Sequence, residues 1–160
     1  MAAAVAKKLG LPHLELDRMR YEAGWREVSD DRFRDLVAEW ANRDEWVFDG
    51  NYAVVRDLLW SRADVVVWID LSLPVVLRRL LVRTVRRLIS NEDLGNGNRE
   101  RLGRVFGPRS IVLWAIRSHA PLREEYERKC AEPRDSGPEV VRLRSPSDER
   151  QWLVDLNGLS

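Results

Sequence analysis

At 160 residues, with 44% hydrophobic and 33% charged residues, the chain holds enough apolar material for one packed domain and too much for a disordered segment. A formal net charge of +1 lacks the basic surplus on which wholesale binding to nucleic acid or acidic membranes depends, and arginines interrupt every apolar segment before it reaches membrane-span length. A single cysteine, Cys130, excludes an intrachain disulfide, and with only His13 and His119 beside it no metal site is expected without borrowed carboxylates.

The first ten residues read as the end of a helix. Ala, Val and Leu recur at helical spacing, Lys7 and Lys8 fall in the last turn, and Gly10 and Pro12 stop it. The apolar run is too short for a signal peptide and its lysines follow it, so a cytoplasmic setting is expected. His13-Leu14-Glu15-Leu16 alternates up to Asp17 as a short strand, and a loop around Gly24 and Trp25 follows. Ser29, Asp30 and Asp31 cap and open a helix whose stripe is Phe33, Leu36, Val37 and Trp40. Trp46-Val47-Phe48 is a second strand, ended by Asp49-Gly50-Asn51, and a short helix passes through Val55, Leu58 and Leu59. Val65-Val66-Val67-Trp68-Ile69 is an unbroken apolar strand, which predicts burial on both faces in a parallel sheet.

Ser72 and Pro74 start a helix running to about Leu88, with Leu73, Leu77, Leu80, Leu81, Thr84 and Leu88 on its core face. Asp70, just before Ser72-Leu73-Pro74, is expected to cap it. Arg79, Arg83, Arg86 and Arg87 fall within roughly a 100° arc of the same helix, with no acid between Asp70 and Glu92 to neutralise them. A polar, Gly-rich loop follows at 91–98, then a long helix over about 108–129 with a kink expected at Pro121. Val140-Val141-Arg142-Leu143 is the last strand, and Ser147 to Leu156 the closing helix. Strand–helix alternation throughout predicts a single doubly wound α/β domain with flanking helices.

In that order the segments Leu9-Gly-Leu-Pro-His-Leu-Glu-Leu-Asp17, Trp46-Val-Phe-Asp-Gly-Asn-Tyr52, Val67-Trp-Ile-Asp-Leu71, Leu80-Leu-Val-Arg-Thr-Val-Arg-Arg87, Asn96-Gly-Asn-Arg-Glu100 and Val141-Arg-Leu-Arg-Ser-Pro146 resemble the adenylate-kinase-like P-loop kinases. Within them the chain is most similar to the bacterial topology modulation protein group. The resemblance covers nearly the whole chain but not the family's strongest motif, a strand and Gly-rich loop ending in Gly-Lys-Ser/Thr. It therefore implies a nucleotide-kinase-like sheet lacking its first central strand, in an N-terminally truncated chain. The strands ending at Asp49 and Asp70 would lose their common neighbour, and either an upstream segment restores it or the two pair directly.

The resemblance further implies an ATP-dependent phosphotransferase using Mg²⁺, with a nucleotide and a small-molecule acceptor as partners. Asp17 resembles the acceptor-side carboxylate, with a helix or loop cap as its plain alternative. Asp49 and Gly50 resemble the pair beside Mg²⁺, or else an ordinary turn. Asn51, Tyr52 and Arg56 would touch the acceptor. Arg83 and Arg87, with Arg79 and Arg86, would clamp the triphosphate, or form a solvated helix face. Asn98 and Arg99 match a lid within a segment at about 89–128, and Arg144 and Pro146 the loop that packs on adenine. A catalytically inactive binding or regulatory relative is the alternative function. A nucleic-acid role would rest only on the helix arginines with Arg99, Arg101 and Arg104.

Overall fold

The computed structural model describes residues 1–90, 93–98, 110–131 and 137–156. Its elements run α1 (Ala2–Leu9), β1 (His13–Glu15), α2 (Leu16–Arg20), β2 (Tyr21–Glu22), a 3-10 turn (Ala23–Trp25), β3 (Arg26–Glu27), α3 (Asp30–Ala41), β4 (Val47–Asp49), α4 (Ala53–Trp60), β5 (Val65–Ile69), α5 (Leu73–Ser90), α6 (Ile111–Ala131), β6 (Glu139–Leu143) and α7 (Pro146–Asp155). Local chemistry sets most boundaries. Gly10 closes α1 in the left-handed conformation. The Ser29 hydroxyl accepts from the Arg32 amide to cap α3. Ser145 and Asp148 form a reciprocal capping box at α7, with Pro146 in its first turn. The strand expected to reach Asp17 stops at Glu15, and Asp17 lies instead in α2.

The architecture is α/β with short parallel sheets. β1 pairs β4 in parallel with His13 opposite Val47 and Glu15 opposite Asp49. β5 pairs β6 in parallel over five residues each. β2 and β3 form a two-residue antiparallel hairpin. The two parallel ladders are separate, and β4 and β5 do not pair with each other, so direct pairing of the strands before Asp49 and Asp70 is not what forms. The expectation that β5 is buried on both faces also needs correction. Trp68 is buried, but Val65 and Ile69 are 45% and 42% exposed, because a two-stranded ladder offers too little surface to be covered along its length.

The first core is Leu16, Phe33, Val37 and Val55, surrounded by Met19, Val28, Phe48, Tyr52, Val54 and Leu59. Gly50 is required beside it: its φ is +137°, and a Cβ there would stand 2.9 Å from Leu16 Cβ. Around the second ladder Trp68, Leu80, Ala115 and Leu143 are buried. On α5, Leu80 and Thr84 are buried as expected, but Leu81 is 44% exposed, because it sits at the rim of the core face. α6 joins the two regions: the Tyr126 ring lies 5.8 Å from that of Trp60 and 5.5 Å from that of Trp68. Among the described residues no helix is long and apolar enough to cross a membrane.

Arg34 ties α3 to α4 by two bonds of 2.8 Å to the two Asp57 oxygens. The Arg34 guanidinium holds the Asp57 carboxyl down at about 2, against an ordinary 3.8. A carboxyl depressed by folding stabilises above its unfolded pKa and loses that contribution as pH falls through the folded one. Asp57 is 64% exposed, so solvent screening keeps the contribution of the pair small. Asp57→Asn is therefore expected to flatten the fall in stability between about pH 4 and pH 2, read from urea midpoints. Identical slopes in both proteins would mean the pair contributes nothing.

Candidate functional site

Because β1 and β4 are parallel and in register at Glu15 and Asp49, the segments that leave them emerge at the same carboxyl edge. Asp17 and Tyr52 stand just beyond that edge, and the Tyr52 hydroxyl donates to Asp17 Oδ1 at 2.6 Å. Burial first, then the Asp17 carboxylate, pushes the Tyr52 phenol above its usual range, so it remains a donor at any physiological pH. The Phe33 ring meets Tyr52 edge-on at 5.2 Å, and Tyr21 adds to the phenol's surroundings. The result is an exposed carboxylate held by a phenol that the core itself positions.

Asn51 and Arg56 face the other way. Asn51 Oδ1 accepts from Arg56 at 2.9 Å and from the Tyr126 hydroxyl at 2.9 Å. Arg56 is 8% exposed, ion-paired with Glu125, and lies 5.2 Å over the Tyr126 ring. Both residues thus bind α4 to α6. Asp49 is exposed, with His13 Nε2 3.8 Å from its Oδ2. Among the described residues, no group of three or more His, Cys, Asp and Glu could hold a metal on its own.

A recess of about 340 Å³ is lined by Arg18, Met19, Tyr21, Glu22, Val28, Arg32, Leu36, Trp40 and Asn96, with neither Asp17 nor Tyr52 in its wall. Its rim is fastened by the loop 93–98. Asn96 donates to the carbonyls of Arg18 and Tyr21 at 3.1 and 2.6 Å. Asn98, 4% exposed, accepts from the Trp25 amide at 2.8 Å and donates to the Glu22 carbonyl at 2.9 Å. Gly95 lies so close to Arg18 that a Cβ would sit 2.8 Å from its Cγ. The lid-like segment expected over 89–128 is therefore tied to residues 18–25 at 93–98 and helical from 111 onward, while Arg99, Arg101 and Arg104 lie outside the described residues.

The α5 arginines are not equivalent. Arg79 makes two 2.7 Å bonds to Glu149 of α7, a neutralising acid that a search along the helix could not find. Arg83 and Arg86 are exposed and Arg87 half-buried. Arg144 is exposed, its amide donating to Asp148 at 2.9 Å. Asp70, expected as a cap, is buried and paired with two arginines: Arg142 takes its Oδ2 at 2.6 Å and Arg123 approaches its Oδ1 at 3.3 Å. This cluster, the Glu125–Tyr126 pair and Tyr21 were not singled out in the sequence, since each gains its meaning from a residue far away in the chain. Against protein-family models, curated proteins and solved structures, the chain has no match.

Proposed function

We propose that the chain is a phosphoryl-transfer domain of the nucleotide- or small-metabolite-kinase type, on a doubly wound fold in which β1 and β4 form one half of the sheet and β5 and β6 the other. The observation that carries this reading is the Asp17–Tyr52 hydrogen bond of 2.6 Å, set beyond the carboxyl ends of β1 and β4. Open α/β sheets bind ligands at that edge. A carboxylate fixed there can take the proton of an acceptor hydroxyl as it attacks a phosphoryl group. Met19, Leu36 and Trp40 with Arg18 and Arg32 suit a compact acceptor that joins a flat apolar body to an anionic group.

ATP and Mg²⁺ would supply the phosphoryl group and neutralise its charge. Asp49 offers the ion an exposed hard oxygen donor, and Arg83 and Arg87 offer phosphate oxygens planar guanidinium donors. A second reading, a binding or regulatory protein without catalysis, is favoured by one observation: Arg56 and Arg79 are committed to Glu125 and Glu149.

Calorimetric titration with pyrophosphate and with Mg-ATP is expected to show binding that Arg83→Ala with Arg87→Ala weakens at least about tenfold, since each charge-assisted bond is worth about 1.5–3 kcal/mol. Equal affinity in both proteins would leave the arginines as a solvated face and remove their part in the reading. Binding without transfer to any hydroxyl acceptor would select the second reading.

A further inference from the structure

The turn between β4 and α4 sends its successive residues to different parts of the molecule. Gly50, at φ +137°, lies against Leu16. Asn51 faces α6: its Oδ1 accepts from Arg56 Nη2 and from the Tyr126 hydroxyl, both at 2.9 Å. Tyr52 turns back and donates to Asp17 at 2.6 Å. It is also the residue that opens α4, and its side chain does not cap that helix. Two donors fill both lone pairs of the Asn51 oxygen, which fixes the amide, and the backbone beside Tyr52, in one orientation.

Arg56 makes this anchorage costly to lose. Its side chain is 9% exposed and ion-paired with Glu125, and its Nε is buried with no hydrogen-bond partner among the described residues. A buried guanidinium with one donor already unpaired depends on its remaining acceptors, since losing another leaves charge uncompensated. Tyr126 is held separately, its ring against those of Trp60 and Trp68. Glu125 and Tyr126, neighbours on α6, thus support the turn from the side opposite Asp17.

We infer that Arg56, Glu125 and Tyr126 are positioning residues for Asp17, acting through Asn51 and the Tyr52 phenol. The catalytic consequence rests on the phosphoryl-transfer reading proposed above; the positioning does not. The competing account is that packing alone places Tyr52, through the Phe33 ring that meets it edge-on at 5.2 Å. That contact restrains the ring and not the backbone of residues 50–52, so the two accounts give different results when Asn51 loses a donor.

The test is the carbon NMR signal of the Asp17 carboxyl in the full chain, assigned by its loss in Asp17→Asn. Tyr52→Phe removes the hydrogen bond and sets the full displacement of that signal. Tyr126→Phe, which keeps the ring against Trp60 and Trp68, is expected to move it part of the way in the same direction. Asn51→Leu, which strips both donors of their acceptor, should move it further, and Asn51→Asp, which keeps an oxygen for both, should leave it near the wild-type position. In hydrolysis of Mg-ATP, with water as the acceptor, Tyr126→Phe should lower kcat by about threefold with KM unchanged. A signal unmoved by Tyr126→Phe and Asn51→Leu, while Tyr52→Phe displaces it, would overturn the inference and leave packing as what places Tyr52. So would a raised KM at constant kcat, since these residues would then bind the ligand. Hydrolysis indifferent to Asp17→Asn, with the signal moving as expected, would support the positioning and count against the phosphoryl-transfer reading alone.

Discussion

Replacing Phe33 by alanine is expected to cost about 3–5 kcal/mol, the range for a fully buried aromatic cut back to Cβ. Phe33 is 0% exposed and sits among Leu16, Val37 and Val55. Its ring also carries the Arg20 guanidinium 5.4 Å above it and braces Tyr52 from the side. The loss therefore includes a cavity, two ring contacts and the wall that holds the Asp17 partner. Against a total of about 5–15 kcal/mol for an ordinary domain, it should lower the melting temperature by roughly 6–20 °C. Val154→Ala, at a site 60% exposed, should change stability by no more than about 0.5 kcal/mol. If the two variants melt alike, the centre of the core lies elsewhere.

If the proposed phosphoryl transfer uses Asp17 as its general base, Asp17→Asn is expected to slow it about 10²–10⁴-fold, the usual worth of such a group. The amide keeps the shape of the side chain and can still accept from Tyr52, so folding should be unaffected. What disappears is the negative charge and the ability to take a proton. Tyr52→Phe tests the support in place of the base: it leaves the carboxylate but frees it to rotate, and should lower kcat by roughly tenfold with KM little changed. Steady-state rates at saturating Mg-ATP separate the two effects through kcat and KM. Transfer by Asp17→Asn at the wild-type rate would reduce Asp17 to an exposed acid in the first turn of α2.

Much of the site's material is legible in the chain because strand ends announce themselves. Asp17, Asp49, Asn51 and Tyr52 each follow a short apolar segment, where α/β ligands gather. Their grouping is not legible. Nothing in the sequence says that the Tyr52 phenol seeks Asp17, 35 residues away, or that Arg56 turns from the acceptor side to Glu125, 69 residues away.

The same division runs through the fold. The stop of α1 at Gly10, the Ser29 cap of α3, the Val65–Ile69 strand and the arginine arc of α5 are properties of neighbouring residues: dihedral preference, a hydroxyl three residues from an amide, an apolar run, a helical period. The sequence determined these by itself. The short elements escaped it, since the five residues of α2 and the two-residue strands β2 and β3 carry too little periodicity and persist only through what they pack against. Partners were decided by docking. Glu149 for Arg79, Arg142 and Arg123 for Asp70, and Asn98 for the Trp25 amide join residues that are 70, 72, 53 and 73 positions apart. Apolarity told that Val65 and Ile69 want cover, but only the tertiary structure decides whether cover arrives. Burial depends on which other surfaces come within contact distance, and no local property of a strand contains that.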